Sequence, residues 1–427
     1  MKKNVLVFPS GSEIGLEIHN SLRWANQFCL YGASSFFSNH SKYVYKNYTD
    51  EIKNIFDPDF ENQLIELVKK YSIDFIFPAH DDVVNKLAEI RKSLPCVVVT
   101  SEIETCRICR SKKLTYNFFK KIINTPKSYS KNNPNLKFPL FLKPDIGQGS
   151  KGTHIAYNEN DINFYLDKDP SLLILEYLPG DEFTVDCFTN KNGELQFVGA
   201  RKRTRISNGI SVDSSVIFDE KINLIAQKIN NNMTFRGVWF FQLKKSTVGS
   251  YSLLEIAPRV GGTMSLYRNR GINLPLMSLY DFMDIDVSII ENDFPKNVDR
   301  ALVNRFDNDI EYAHIYIDLD DTIILNNFVN PFVIMFIYQS LNQGKKIHLL
   351  TKHKNDIIDT LNRFKIAKNI FESIEQIEAH DLKTNYINLF PSIFIDDSFS
   401  ERSKVKLHHN IPVFDTNQLE SLIDWRF

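Results

Sequence analysis

Two apolar runs, VWFFQL at 238–243 and SLLEIA at 252–257, constrain this chain more than any other feature. Both have strand length and composition, and as neighbours in sequence they pair as a hairpin. That pairing sets Gln242 and Glu255, thirteen positions apart, side by side on one face. Two oxygen ligands on one rigid face suit Mg²⁺, which shares its coordination with nucleotide phosphates and water. Arg259 follows four residues later and suits a transferring phosphoryl group, and a Gly261-Gly262 turn comes next.

Upstream, FPLFLKPDIGQGSKGTHIAY carries an apolar strand ending in Lys143, a loop with Gly147, Gly149 and Gly152, and a second strand from Thr153. Glycines let backbone amides approach phosphate oxygens, and Lys143 and Lys151 add charge. The loop joins strand to strand and does not fit G-x-x-x-x-G-K-[ST], so it is not a P-loop. In LLILEYLPGDEFTVDCF, Glu176 ends one strand and Glu182 begins the next. Earlier, CRSKKLTYNFFKK opens a helix at Lys112. These segments, in this order over about residues 1–300, resemble the ATP-grasp superfamily of carboxylate–amine ligases (carbamoyl-phosphate-synthase-like). The resemblance implies ATP held by Lys112, Lys143, Gly149, Ser150, Lys151, Gly152, Glu176 and Glu182. It implies Mg²⁺ (Mn²⁺ the alternative) on Gln242 and Glu255, and Arg259 at the chemistry. It also implies an acyl phosphate, formed when a carboxylate attacks the γ-phosphate, and then captured by an amine. One departure is Ala257, where the family commonly has asparagine; alanine cannot ligate a metal, which puts the second Mg²⁺ in question.

The first hundred residues alternate strands and helices: NVLVFPSGSEIGLEI, IDFIFPAHDDVVNKLAEI and LPCVVVTS. Such alternation implies a parallel, doubly wound sheet, which binds ligands at its strand carboxyl ends. Gly11, His80, Asp81 and Asp82 fall at such ends, as turn and cap residues or as holders of an amine or acid. GSEIG is not G-x-G-x-x-G, which argues against a dinucleotide.

From about residue 310 the pattern restarts. HIYIDLDDTIIL is a strand ending in Asp318, with Asp320 and Thr322 beyond; IHLLTKH ends in Thr351; Lys383 opens an amphipathic stretch; SIFIDDS ends in Asp396 and Asp397. These elements resemble the haloacid dehalogenase superfamily of phosphotransferases. The resemblance implies Asp318 as nucleophile and Asp320 as acid and base. It implies Thr351 and Lys383 on the phosphoryl oxygens, and a cation shared by Asp318, Asp320, Asp396 and Asp397. The short spacings leave no room for a large cap domain, so the site is expected to be open to a bulky phosphate ester. Lys365 or Lys368 could replace Lys383.

Among 427 residues the net charge of −1 argues against a nucleic-acid surface. Arg201, Arg203 and Arg205 share one face of a strand, as an exposed edge or with one of them facing phosphate. Five scattered cysteines do not make a secreted disulfide framework, and Cys106 and Cys109 lack partners for a zinc site. No signal peptide or membrane span is expected, so the chain is expected to be cytoplasmic, with a homodimer left open.

The expected fold class is α/β: a Rossmann-like pre-domain (1–105), ATP-grasp α+β lobes (106–300), and a capless haloacid dehalogenase-like Rossmannoid domain (310–427). The expected function is an ATP-dependent amide or peptide ligase fused to a Mg-dependent phosphatase. Expected partners are small-molecule carboxylate and amine substrates and a phosphate ester, without nucleic acid or membrane. The alternative is a catalytically altered ATP-binding or scaffold unit attached to a working phosphatase.

Overall fold

The structure, a computed structural model, describes residues 2–134, 136–307 and 309–426. The chain divides into two compact units, the second spanning Val303–Arg426.

The first unit opens with strands β1 (Lys3–Phe8), β2 (Phe28–Ala33), β3 (Asn47–Thr49), β4 (Phe75–Pro78) and β5 (Val97–Val98). They form a parallel sheet in the order β3-β2-β1-β4-β5. Val5, Leu6, Val7 and Phe8 are all buried, as a central strand covered on both faces requires. Helices α1 (Glu13–Leu22), α2 (Phe60–Lys70) and α3 (Asp81–Ile90) do the covering. Ser12 caps α1 by accepting from the Gly15 N–H, and the His80 ring caps α3 by accepting from the Asp82 N–H.

Helices α4 (Ile103–Arg110) and α5 (Lys112–Phe119) lead to β6 (Ser128–Tyr129), β7 (Leu140–Lys143), β8 (His154–Ala156), α6 (Glu159–Lys168) and β9 (Leu173–Glu176). These strands make an antiparallel sheet ordered β6-β9-β7-β8. A larger antiparallel sheet follows, from β10 (Glu182–Thr189), β11 (Leu195–Ser207), β12 (Ile210–Ile217), β13 (Gly237–Lys245), β14 (Tyr251–Ala257) and β15 (Asn297–Asp299), ordered β14-β13-β10-β11-β12-β15. Helix α7 (Glu220–Asn232) lays Ile222, Ala226 and Ile229, at helical spacing, onto Val185, Trp239 and Phe241 of that sheet. Each large side chain fully buried there contributes roughly 1.5–3 kcal/mol. Helices α8 (Ser265–Asn269) and α9 (Leu274–Phe282) complete the unit.

The second unit is a parallel sheet of β16 (His314–Ile317), β19 (Lys346–Thr351), β20 (Ser373–Gln376), β21 (Ser392–Ile395) and β22 (Val413–Phe414). Its order is β20-β19-β16-β21-β22. Between β16 and β19 lie a small hairpin, β17 (Ile324–Leu325) and β18 (Phe328–Val329), and helix α10 (Pro331–Asn342). The hairpin turn is Asn326-Asn327, both at positive φ, a conformation asparagine tolerates. Helices α11 (Ile357–Arg363) and α12 (Phe399–His409) flank the remaining strands. Apart from the hairpin, these connections are single helices and short turns, so no inserted domain lies over the sheet's carboxyl end among the described residues. No helix among the described residues is long and apolar enough to cross a membrane.

Candidate functional sites

In the first unit the two antiparallel sheets enclose a cleft of about 890 Å³, part of it open to solvent. β13 and β14 pair with Gln242 directly opposite Glu255, and both side chains line the cleft. Lys112, Lys143, Gly149, Ser150, Lys151, Glu176 and Glu182 line it too. Gly152 does not; at a φ of +69° it closes the turn back to β8.

Several of these groups are held by neighbours. Lys112 Nζ donates to the carbonyls of Gly147 (2.9 Å) and Asp145 (3.3 Å), which ties α5 to the glycine-rich loop. Lys143 ends β7 among buried groups. Burial, reinforced by the charge of Lys112, pulls its pKa down to about 7. Glu255 and Glu182 push it the other way without offsetting the burial. The loop is also fixed from outside. Gly149 packs against the β11–β12 turn at Gly209, where a Cβ would overlap the Gly149 backbone. Gln148 reaches the His80 ring, and Arg110 spans from Asp82 (2.6 Å) to the Gly147 carbonyl (3.4 Å).

Arg259 does not line this cleft. Its guanidinium makes two 2.7 Å bonds to Asp81 at the start of α3. Burial would lift the Asp81 carboxyl, but the Arg259 charge outweighs it and holds the pKa down at about 2. Asp81 is thus a partner of Arg259, and His80 and Asp82 anchor the loop.

The arginine row divides into three fates. Arg201 is fully buried on Asp186 (2.7 Å) and also bonds Thr263. Arg203 lines the cleft, bonded to Glu182 and, at 3.4 Å, to Gln242. Arg205 is exposed on Asp299, beyond a bulge that shifts it out of register with the other two. Lys244 was absent from the sequence candidates and also lines the cleft, near Glu182 at 3.5 Å. Strand alternation from Gln242 was the signal that would have found it. Cys106 and Cys109 are buried within α4, and neither belongs to a metal-binding group among the described residues.

Comparison with known proteins bears on this unit. A family model described as "ATP-grasp in the biosynthetic pathway with Ter operon" matches residues 168–304, the stretch that contains the Gln242–Glu255 hairpin. That stretch of the first unit is similar to ATP-grasp proteins. The chain is 26% identical over 232 residues to a D-alanine--D-alanine ligase of Petrotoga mobilis, covering 49% of this chain and 76% of that one. It is 32% identical over 97 residues to D-alanine--D-alanine ligase A of Bacillus cereus, 22% of this chain and 32% of that one. In fold it is similar to N5-carboxyaminoimidazole ribonucleotide synthetase from Thermotoga maritima (TM-score 0.56, 16% identity, covering 73% of this chain and 83% of that one). It is similar also to the biotin carboxylase domain of Hydrogenobacter thermophilus 2-oxoglutarate carboxylase, solved with MgADP (TM-score 0.57, 12% identity, 68% and 72%).

The second unit gathers another set of side chains at the carboxyl ends of β16, β19 and β21. Asp318, Asp396 and Asp397 offer carboxylate oxygens within 4.8 Å of one another. Lys383 Nζ lies 2.8 Å from Asp318 Oδ1 and 2.6 Å from Asp396 Oδ2. Lys383, not Lys365 or Lys368, is therefore the lysine in this cluster. Burial would lower its pKa, but the two carboxylates outweigh that and raise it. Burial, with help from Asp318, pushes Asp396 up to about 6, and Asp397 is raised for the same reasons. Asp318 Oδ1 is buried, with Lys383 as its charged neighbour. Three crowded carboxylates, two of them held toward protonation, form a donor set that fits a hard divalent cation. Thr351 is buried at the end of β19, and Thr322 Oγ1 accepts from the Asp397 N–H.

Asp320 departs from the expected ligand set. Its carboxylate is not part of the acidic trio; it is turned to the His353 ring. His353 was not singled out from the sequence.

Proposed function

We propose that the first unit is an ATP-dependent ligase joining a carboxylate to an amine through an acyl phosphate, with release of ADP and phosphate. The observation that carries this is the register pairing of Gln242 with Glu255 on the wall of a cation-rich cleft. Lys112, Lys143 and Lys151 would neutralise phosphate oxygens, and backbone amides around Gly149 and Ser150 would approach them. Glu176 and Glu182 would hold the adenosine end, and Gln242 and Glu255 would hold Mg²⁺. When bound, the cation neutralises phosphate charge. Arg259, held by Asp81 outside the cleft lining, would serve the chemistry only after turning from that carboxylate toward the transferring phosphoryl group. D-Alanine ligases among its relatives support an amino acid or a related small carboxylate as substrate. The test is ADP release by the pure protein over a panel of carboxylates and amines; AMP and pyrophosphate as products would sink the acyl phosphate route.

The second unit, in the same reading, is a haloacid dehalogenase-type phosphatase. Asp318 would take the phosphoryl group, Asp320 would serve the leaving group, Thr351 and Lys383 would hold the phosphoryl oxygens, and Asp396 and Asp397 would hold the cation with Asp318. The two units would act in sequence, the ligase making a phosphorylated amide and the phosphatase freeing it. With ATP and the true substrates, Asp318→Asn protein should accumulate the phosphorylated product by mass. The chain is read as a cytoplasmic enzyme. The alternative, an ATP-binding unit without ligation, draws on Ala257 and predicts nucleotide binding with no ADP release on any substrate.

A further inference from the structure

Asp320 is an exposed acid of the second site, yet its position is tightly specified. Both its oxygens lie within hydrogen-bonding distance of His353 Nδ1, at 3.0 and 2.9 Å. The other ring nitrogen, Nε2, is 2.8 Å from Thr360 Oγ1 on α11. The His353 backbone is fixed as well: its N–H donates to Thr351 Oγ1 (3.2 Å), and its carbonyl accepts from Gln376 Nε2 (2.8 Å) at the end of β20. The ring is 11% exposed and the Asp320 side chain 52%. A largely buried imidazole, its ring held by Thr360 and its backbone by Thr351 and Gln376, thus grips a carboxylate that otherwise faces solvent on a turn. The acceptor-only Asp320 carboxylate favours Nδ1–H, and the Thr360 hydroxyl, which can donate as well as accept, satisfies the Nε2 that this tautomer leaves as an acceptor.

We infer that His353 is a positioning residue for phosphate-ester cleavage: it holds the Asp320 carboxyl clear of the Asp318–Asp396–Asp397 trio, where it can serve the leaving-group oxygen. The inference rests on the phosphatase reading of this site. In the first half-reaction an Asp318 oxygen bonds to phosphorus, the ester P–O bond breaks, and the leaving oxygen takes its proton from Asp320. In the second, water bonds to phosphorus, its proton passes to Asp320, and Asp318 is released with inorganic phosphate. A carboxyl free to swing among rotamers would reach the leaving oxygen only part of the time, and would be drawn toward the cation site.

The test compares two esters on the full chain: p-nitrophenyl phosphate, whose phenolate departs with little proton donation, and glycerol phosphate, whose alkoxide requires it. His353→Ala should lower kcat for glycerol phosphate on the order of tenfold to hundredfold at little-changed KM. It should lower kcat for the nitrophenyl ester less than about threefold, since that leaving group draws little on the general acid. His353→Asn, which keeps an N–H donor near Nδ1, should recover part of the loss, and Thr360→Val should give a weaker form of the same pattern. Equal loss on both esters would mean that His353 only pins the loop, and no loss on either would mean that it does nothing for Asp320; each overturns the inference and leaves the phosphatase reading intact. Asp318→Asn should stop both hydrolyses. A wild-type protein that hydrolyses neither ester would overturn the phosphatase reading and this inference together.

Discussion

The two sites are charged in opposite senses. The cleft of the first unit is lined by five cationic side chains, Lys112, Lys143, Lys151, Arg203 and Lys244, against three carboxylates, Glu176, Glu182 and Glu255. Its strain falls on a cation: Lys143 is pulled down to about 7. The second site packs three carboxylates around Lys383, and its strain falls on an acid: Asp396 is pushed up to about 6. The lining of each site thus suits a ligand of opposite charge, a polyanion in one and a cation in the other. A perturbed pKa is more informative for the sign of its shift than for the identity of the residue.

The largest expected effects would break this division outright. Glu255→Ala should cut ADP formation by about 10²-fold or more while phosphate-ester hydrolysis persists, and Asp318→Asn should do the reverse. Joint loss of both activities in a folded protein would show that the sites are not independent.

Next come the cations, which are not equivalent. Arg201→Met leaves Asp186 buried and unpaired, and should cost about 3–5 kcal/mol in denaturant unfolding. Arg205→Ala, at an exposed pair, should cost less than about 1 kcal/mol. Equal effects would mean that the buried pair is solvated in ways its burial denies.

The sharpest test of the contrast is a pair of proton counts, read by calorimetry in buffers of different ionisation enthalpy. Near pH 7.5 Lys143 is mostly neutral in the empty cleft, and nucleotide phosphates favour its charged form. ATP binding should therefore take up a proton, and affinity should fall as pH rises above about 7. Near pH 6 Asp396 is about half protonated, and a divalent cation favours its ionised form. Mg²⁺ binding to Glu255→Ala protein should therefore release protons. Like signs in the two experiments would refute the comparison.

The smallest expected change concerns Ala257. It borders a small cavity shared with Asn85, Lys112 and Glu255, and Asn85 Oδ1 is buried there without a partner. Ala257→Asn should lower the Mg²⁺ concentration for half-maximal ligation; no shift would mean that another group already supplies the ligand.

What the sequence disclosed was whatever period-two patterning and strand ends can encode. The hairpin register of Gln242 and Glu255, the loop after Lys143, and the acids after β16 and β21 all follow from apolar runs that stop at a polar residue. What it withheld are pairings between distant loops. Asp81 meets Arg259 across 178 positions and His353 meets Asp320 across 33, and no local period specifies either contact. The choice of Lys383 over Lys365 and Lys368 likewise needed the fold, because a short 3₁₀ turn at Lys383–Tyr386 aims it inward. The arginine row misled for a local reason: the bulge before Arg205 changes which side chains share a face.

The contact of Gly209 with Gly149 has a consequence for how the enzyme could be adjusted. Two backbones touch where any side chain would intrude, so the hairpin tip sets the depth to which the glycine-rich loop settles. An alanine at 209 would work as a shim, propping the loop outward and loading the turn whose carbonyl accepts from Arg203. Residence time of the nucleotide, and with it the pace of turnover, would then be set by a spacer on the cleft wall that carries no charge of its own.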